Sequence, residues 1–207
     1  HAIIQVQPDG QNCIFLYGGS NQAVTPEDID AVLSHFAPGD YLLMQNELSN
    51  FTYLLCAAVG RGLRVVLNTS PISGEVLAAD LTGVDWLVVN EIECAAIAGC
   101  STPEEGYAAL RARYPGLGIL LTLGSEGSVN WKDGVEIRQC AYPVQAVDTT
   151  GAGDTFMGYF VGCLAQGMER KDAMQYAAMA ASIAVTRPGA APSIPMMAEV
   201  RAAVEAL

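Results

Sequence analysis

Short apolar runs alternate with longer segments of helical periodicity over the first two thirds of the chain. A strand that is buried on both faces needs an almost continuous apolar run, because neither of its faces meets water. We therefore predict four buried strands, with the sequences YLLMQ (41–45), LRVVLN (63–68), DWLVVN (85–90) and GILLTLG (118–124).

Helical patterns fill the intervals between these strands. Thr25 has the residue type of an N-cap, and Pro26 stands at the first helical position, ahead of the periodic run DIDAVLSHF. The later patterns end near glycine or at a turn. Strand and helix in alternation favour right-handed crossovers and an α/β fold, with a mostly parallel sheet covered by helices on both faces. These patterns are NFTYLLCAAVGRG, EIECAAIAG and TPEEGYAALRARY.

Two hairpins interrupt the alternation. The first joins AIIQV to CIFLY through Pro8, Asp9 and Gly10, and the second is SVNWKDGVEIRQ, which turns at Asp133 and Gly134. The final third of the chain has an almost wholly helical pattern. Because no linker, repeat or low-complexity segment marks a boundary, we predict a single α/β domain over residues 1–207.

Composition restricts the partners. The net charge of −12 repels nucleic acid and anionic lipid, so backbone amides or a metal ion have to hold any anionic ligand. We expect no nucleic acid and no membrane as a partner. The sequence has neither an apolar segment of transmembrane length nor a recognisable leader, and a cytoplasmic location is the prediction.

Six cysteines, at positions 13, 56, 94, 100, 140 and 163, form no C-x-x-C pair and no cluster with histidine. Most of them lie within apolar stretches such as YLLCAAV and FVGCLA. Buried free thiols are therefore predicted in preference to disulfides or a zinc site.

Small and polar residues follow each predicted buried strand. In an open parallel sheet, ligands bind beyond the carboxyl ends of the strands, so these segments are candidates for a binding site. Each of them also has a purely structural explanation, because strand ends need turn formers and helix caps. The segments are Gln45 to Glu47, Asn68 to Ser70, Asn90 to Glu93 and Thr122 to Gly127.

The segment AVDTTGAGDTFMGYF (146–160) places Gly151, Ala152 and Gly153 before an apolar helical run. Glycines allow the backbone to turn sharply and to direct successive N–H groups outward, and the helix N-terminus adds partial positive charge. The segment therefore predicts an anion pocket that needs no basic side chain.

Three glycine-loop chemistries compete for this motif. A P-loop needs a lysine where Asp154 stands, and a dinucleotide fingerprint needs a third glycine where Phe156 stands. The third chemistry gives the carboxylate a use, since Asp154 can take the proton of a hydroxyl that attacks a phosphate in the pocket. Phosphoryl transfer to an alcohol is the function predicted here, and a plain helix cap is the structural alternative for Asp154.

DTTGAGDTF (148–156) resembles the C-terminal motif of the ribokinase family of sugar kinases. The resemblance extends through AAMAASIAVTRPGAAPSIP (177–195), with LLMQNE, NEIE and TLGSEG in the expected order. It implies a three-layer ribokinase-like fold and transfer of the γ-phosphate of ATP to a primary hydroxyl of a sugar, with ribose as the first candidate. ATP, magnesium and potassium are the implied cofactors, and the implied partners are a small sugar, ATP and, as one possibility, a second copy of the chain.

The resemblance also assigns roles residue by residue. Asp154 is the implied base and contacts the substrate, with Gly151, Ala152 and Gly153 as the anion hole, and Glu47 is an implied sugar contact. The implied ATP and magnesium positions are Asn90, Glu93, Thr122, Gly124, Ser125 and Gly127. The implied potassium ligands, most of them through backbone carbonyls, are Asp148, Thr150, Ala184, Arg187, Gly189 and Ser193.

The sugar-gripping aspartate and the G-G-x-x-x-N element of the family's N-terminal part have no counterpart here. The chain begins at His1, without Met and within a predicted strand, so we expect that residues precede it. The N-terminal sugar-binding and lid part is the expected missing piece. The alternative to catalysis is a truncated or degenerate member that binds nucleotide or a partner without transferring phosphate.

Overall fold

The computed structural model describes residues 2–6 and 12–207. The chain divides into two compact units, His1–Asp80 and Leu81–Leu207, because contacts within each unit are denser than contacts across the division. The sequence pattern suggested a single domain, and that remains a prediction.

The first unit opens with the predicted hairpin. Strand β1 (Ala2–Val6) pairs antiparallel with β2 (Asn12–Leu16), and the predicted turn at positions 8–10 lies outside the described residues. Helix α1 (Pro26–Leu33) begins as predicted, because Thr25 caps it. The Thr25 hydroxyl oxygen accepts from the Asp28 N–H at 3.2 Å, and the Asp28 carboxylate accepts from the Thr25 N–H at 3.0 Å. This reciprocal pair is a capping box.

A parallel strand pair completes the first unit. Strand β3 (Tyr41–Met44) pairs with β4 (Arg64–Asn68), with helix α2 (Phe51–Gly60) between them and the single turn α3 (Gly74–Leu77) after them. Strand β4 has a buried centre, as predicted. For β3 the prediction of burial on both faces is wrong, since the Leu43 side chain is 41% exposed. Among the described residues of this unit, β3 pairs with one strand, β4.

The second unit contains a four-stranded arrangement in the order β5-β6-β7-β8. Parallel strands β5 (Val84–Asn90) and β6 (Gly118–Thr122) are joined through helices α4 (Glu91–Ala98) and α5 (Pro103–Arg113). The predicted hairpin follows as antiparallel strands β7 (Ser128–Lys132) and β8 (Val135–Gln139). Asp133 and Gly134 both have positive φ, of 52° and 79°, which is the backbone of a type I′ turn.

Three helices end the chain: α6 (Ala152–Ala165), α7 (Arg170–Ala184) and α8 (Met197–Glu205). Phe160 of α6 packs edge-on against Trp86 of β5, with ring centroids 5.2 Å apart. The final third is less helical than its pattern suggests, because residues 140–151 and 185–196 contain no α-helix. These two segments carry Gly151 and five of the six implied potassium ligands.

Among the cysteines whose side chains the structure describes, five are free thiols, and their burial only partly follows the prediction. Cys94 and Cys163 are buried, whereas Cys56 and Cys140 are exposed. Cys56 lies on the opposite face of α2 from the inward residues Phe51, Leu54, Leu55 and Ala58, and Cys140 follows the end of β8. Among the described residues, no helix combines the length and the apolar character that a membrane span requires.

Candidate functional site

The glycine loop ends at Gly151, which is the N-cap of α6 and has a left-handed backbone with φ of 73°. A side chain is strained in that conformation, which explains the glycine. Thr155 fixes the turn, since its N–H and its hydroxyl both donate to the Gly151 carbonyl at 2.8 Å. Gly153 lies in the first turn, where an α-helix offers no acceptor of its own for the amide. The Gly153 N–H therefore has no acceptor within α6, whereas the Ala152 N–H donates to the Thr149 carbonyl at 3.2 Å. The anion pocket stays a prediction.

Asp154 is exposed and also lies in the first turn of α6. A groove of about 250 Å³ lies beside it and is lined by α6 together with residues that follow α7. A carboxylate and one end of a groove therefore lie at the start of α6. The other lining residues are Thr155, Gly158, Tyr159, Gly162, Gln166, Ile194 and Met197.

Asp148 joins the glycine loop to the segment after α7. Its carboxylate accepts from the Thr150 N–H at 2.9 Å and from the Gly189 N–H at 2.8 Å. The backbones meet here as well, because the N–H groups of Val147 and Asp148 both donate to the Val185 carbonyl. Hydrogen bonds from the Thr150 hydroxyl, the Thr150 N–H and the Gly189 N–H hold the pKa of Asp148 below its usual value. The carboxylate is thus charged near neutral pH.

The segment 185–196 is held at further points. The Tyr159 hydroxyl donates to the Pro195 carbonyl at 2.5 Å, and Arg187 forms an ion pair with Glu199 of α8. Ser193 is buried, and its hydroxyl donates to the Ala190 carbonyl at 2.7 Å. The structure therefore brings the predicted cation ligands Asp148, Thr150 and Gly189 into one hydrogen-bonded group. Arg187 and Ser193 lie on the same segment as Gly189, and Ala184 ends α7 just before it.

Asn90 and Glu93 form the N-terminal cap of α4. The Asn90 side-chain oxygen accepts from the Glu93 N–H, and the Glu93 carboxylate accepts from the Asn90 N–H, each at 2.9 Å. Glu93 is buried and Asn90 is exposed. The sequence predicts this pair as part of a nucleotide site, and locally the two side chains also serve as the helix cap.

The segment from Thr122 to Gly127 follows β6. Thr122 lies opposite Asn90 in the parallel register, and its hydroxyl donates to the Val89 carbonyl at 3.4 Å. Two predicted strand-end segments therefore meet at this edge. Gly127 has φ of 104°, and a Cβ atom there would stand 2.1 Å from the Gln139 carbonyl oxygen. Gly124, with φ of 54°, and Ser125 lie in a short 3₁₀ turn that Gly127 closes.

Glu47 belongs to the first unit and follows β3. Its side chain is exposed, and its carbonyl accepts from the Gln22 side chain at 2.8 Å. The neighbouring Asn46 donates its backbone N–H to the Ser70 carbonyl at 3.2 Å. The two predicted strand-end segments of this unit therefore also meet.

Sequence reasoning missed the residues that hold the site in place. Thr155 was within the quoted motif, and a threonine four residues after a glycine N-cap could have indicated its bond to the helix start. The sequence offers no comparable indication for Tyr159, Glu199 and Gln22. Each of them contacts a segment that is irregular or distant along the chain. In the described ranges 2–6 and 12–207, no three His, Cys, Asp or Glu side chains are grouped to hold a metal ion.

Comparison with known proteins identifies the family. The chain matches the pfkB family carbohydrate kinase over residues 1–197. It belongs to that family. The resemblance found in DTTGAGDTF is thereby confirmed, and the chain falls among the carbohydrate kinases.

Individual pfkB-family relatives carry the comparison further. The chain is 33% identical to the ribokinase of Staphylococcus aureus over 96% of its own length and 67% of that protein. It is 33% identical to the ribokinase of Arabidopsis thaliana over 94% of its length and 54% of that protein. The chain thus spans about half to two thirds of these relatives.

Solved structures of the family confirm the predicted three-layer α/β fold with a mostly parallel sheet. Arabidopsis thaliana ribokinase complexed with ribose and ATP has a TM-score of 0.81 and 30% identity, over 99% of this chain and 69% of that one. Ribokinase from Cryptococcus neoformans in complex with ADP has a TM-score of 0.84 and 30% identity, over 98% of this chain and 70% of that one.

Proposed function

We propose that this protein transfers the γ-phosphate of ATP to a primary hydroxyl of a sugar, with ribose as the preferred acceptor. One observation carries the proposal: the exposed carboxylate of Asp154 and the Gly153 amide, which has no acceptor within its own helix, occupy the same helix turn. A site that only binds phosphate gains nothing from a carboxylate beside it, since like charges repel. A site that deprotonates an attacking hydroxyl needs one.

Asp154 accepts the proton of the sugar hydroxyl as its oxygen attacks the γ-phosphorus. The new O–P bond forms while the bond to the β-phosphate oxygen breaks, and ADP leaves with that electron pair. The N–H groups from Gly151 to Gly153 stabilise the charge on the transferred phosphoryl group. The left-handed Gly151 turn, held by Thr155, fixes the start of α6 before the substrate arrives.

The nucleotide is assigned to the strand-end edge of the second unit. Asn90 and Glu93 are held by their reciprocal cap, so both side chains are fixed in the absence of ligand. One oxygen of each side chain already accepts an N–H group in the cap, so Glu93 would act on magnesium through bound water, and Asn90 would act on the nucleotide phosphates. Bound magnesium would neutralise charge on the phosphates. Thr122, Gly124, Ser125 and Gly127 line the ATP ribose and phosphates in this proposal.

A potassium ion fits the segment 185–196 and the start of the glycine loop. Both oxygens of Asp148 already accept N–H groups, so backbone carbonyls are the main ligands on offer, and a hard monovalent cation is suited to them. The carbonyls assigned to it belong to Asp148, Thr150, Ala184, Arg187 and Gly189, with Ser193 as the sixth residue. The bound ion supplies positive charge beside the anion hole.

Ribose as the acceptor is supported by the relatives, several of which are ribokinases, one of them solved with ribose and ATP. Glu47 is the sugar contact in this proposal, and its exposed side chain is consistent with a ligand-facing role.

A coupled assay of ADP release tests the proposal. The full chain is assayed in separate reactions with ribose, deoxyribose, fructose, adenosine and no acceptor. We expect ribose to give the highest kcat/KM. Equal ADP release with and without acceptor would contradict sugar phosphorylation. Calorimetric binding of ATP without any turnover would instead support the non-catalytic alternative.

A further inference from the structure

Asn46 connects two loops of the first unit. Its side-chain nitrogen donates to the Pro71 carbonyl at 2.6 Å and to the Ser73 hydroxyl oxygen at 2.8 Å. Its backbone N–H donates to the Ser70 carbonyl at 3.2 Å. Asn46, the second residue after β3, thus makes three hydrogen bonds to the segment that follows β4.

The acceptors of Asn46 are themselves fixed. Ser73 is the N-cap of α3, and its oxygen also accepts from the Val76 N–H at 3.3 Å. The Ser70 N–H donates to the Asn68 side chain at 3.0 Å. Asn46 therefore binds to an ordered segment.

The other side of the same turn is tied to the segment before α1. The Gln22 side chain donates to the Glu47 carbonyl at 2.8 Å, and the Ser49 hydroxyl donates to the Val24 carbonyl at 2.8 Å. Asn50 donates to that same carbonyl at 2.7 Å. The backbone of Glu47 is consequently held from two directions while its carboxylate is exposed.

We propose that Asn46 is a positioning residue, which fixes the Glu47 carboxylate for the sugar through its bonds to Pro71 and Ser73. The inference rests on the proposed function, because it assumes that Glu47 contacts the sugar. A side chain on a fixed backbone samples fewer positions than one on a mobile turn. Ordering a mobile turn when the sugar binds costs free energy, and this cost weakens the affinity. Asn46 acts on sugar binding and leaves the phosphoryl-transfer groups in place.

The chemistry of the pair requires an amide at position 46. The Pro71 carbonyl can only accept, so the residue opposite has to donate. An aspartate has the same shape but no N–H, and it would place a charged oxygen against that carbonyl. Asn46→Asp therefore breaks this tie without changing side-chain volume.

The experiment compares Asn46→Asp with Gln139→Glu in the full chain. Gln139 is the control, because its side-chain amide also donates to a carbonyl, that of Cys140 at 2.9 Å, but in the second unit, and the substitution adds the same charge. We expect Asn46→Asp to raise KM for the sugar about tenfold, which corresponds to about 1.4 kcal/mol. The kcat and the KM for ATP should stay within about twofold, well below the loss that removal of a catalytic group causes.

A second variant and a second readout protect the test from simple misfolding. Ser73→Ala removes one acceptor and keeps the bond to Pro71, so a smaller rise in the sugar KM is expected. Hydrogen–deuterium exchange on the ligand-free variants should accelerate over residues 46–49 for Asn46→Asp.

The kinetic results distinguish the positioning role of Asn46 from the proposed kinase function. A sugar KM that rises equally in the Asn46 and Gln139 variants, or in neither, would overturn the positioning role while leaving the kinase proposal intact. A fall in kcat at unchanged KM would overturn it as well. A wild-type protein without sugar-dependent ADP release would overturn the proposed function itself, and the positioning role with it.

Discussion

The carboxylate of Asp148 accepts a hydrogen bond from the backbone N–H of Gly189, 41 residues further along the chain, at 2.8 Å. The bond joins the glycine loop to the segment after α7, and the same carboxylate accepts from the Thr150 N–H on its own loop. The loop that leads into Gly151 is therefore oriented by a residue outside the predicted anion hole. Three of our predictions depend on this loop or the helix that follows it.

Asp148→Asn should lower turnover by roughly ten- to 100-fold, because its amide nitrogen would face the Gly189 N–H as donor against donor, and small misplacements of reacting groups are costly. Steady-state kinetics at saturating ATP and sugar measures this. Asp28→Asn is the control, since it also removes a carboxylate that accepts a backbone N–H, but in the cap of α1. An equal effect of the two variants on turnover would contradict the special role of Asp148.

Asp154→Asn should abolish most turnover, because general-base assistance contributes roughly 100- to 10,000-fold. ATP affinity should stay the same or improve, since a negative charge beside the phosphates is removed. Asp172 is the matched control, as it is also an exposed carboxylate at the third residue of a helix. Turnover of Asp154→Asn within about threefold of wild type, well short of the loss expected for a general base, would mean that Asp154 is only structural.

Potassium should raise turnover above the level in sodium or tetramethylammonium at equal ionic strength. A cation held by carbonyls of segment 185–196 and the glycine loop would preorganise the N–H groups after Gly151. It should also raise the thermal midpoint of the ligand-free protein, since an ion that binds only the folded state stabilises it. Identical rates and midpoints in all three salts would exclude this cation site.

Gly127→Ala should destabilise the protein by about 2–4 kcal/mol, since it combines overpacking with an unfavourable backbone conformation. The new Cβ atom would stand 2.1 Å from the Gln139 carbonyl oxygen, at a φ of 104°. Gly116→Ala is the control, because open space surrounds that position. It should change stability by no more than about 0.5 kcal/mol. Urea unfolding measures both, and similar midpoints would contradict the prediction.

Cys94 should resist alkylation near neutral pH, whereas the exposed Cys56 and Cys140 should react. Burial, with smaller contributions from Cys100 and Glu104, raises the pKa of Cys94 to about 11 from its ordinary value of 9.0. Peptide mass spectrometry after iodoacetamide treatment at about pH 7.5 measures the order in which the cysteines are labelled. Early labelling of Cys94 in folded protein would contradict its burial.

The same shift gives a pH dependence with a definite sign. The unfolded thiol loses its proton near 9.0, while the folded one keeps it up to about 11. The unfolded state therefore binds fewer protons in that window, and the free energy of unfolding falls as the pH rises through it. Cys94→Ala should show a shallower fall in the free energy of unfolding than wild type. Urea unfolding from about pH 8 to about pH 11 measures this difference. Parallel curves would contradict the assignment.

The elements that the sequence predicts well depend on neighbours along the chain. The run DWLVVN is apolar enough to be buried on both faces, Thr25 and Asp28 satisfy each other at the start of α1, and Asp133-Gly134 has the residues that a type I′ turn needs. The family motif adds the turn at Gly151, because only a glycine accepts that backbone without strain. These features are local, so periodicity and residue type are enough to determine them.

Tertiary structure alone decided which distant residues hold the site. The sequence predicts Asp148 and Gly189 as candidates without showing that one donates to the other, and it gives no sign that Asn46 binds Pro71, 25 residues away. Cys56 lies within an apolar run, yet it is exposed because α2 turns that face outward. The physical reason is common to all three. Hydrogen bonds between irregular segments, and the side of a helix that meets solvent, depend on where the folded backbone carries each residue, which no local pattern encodes.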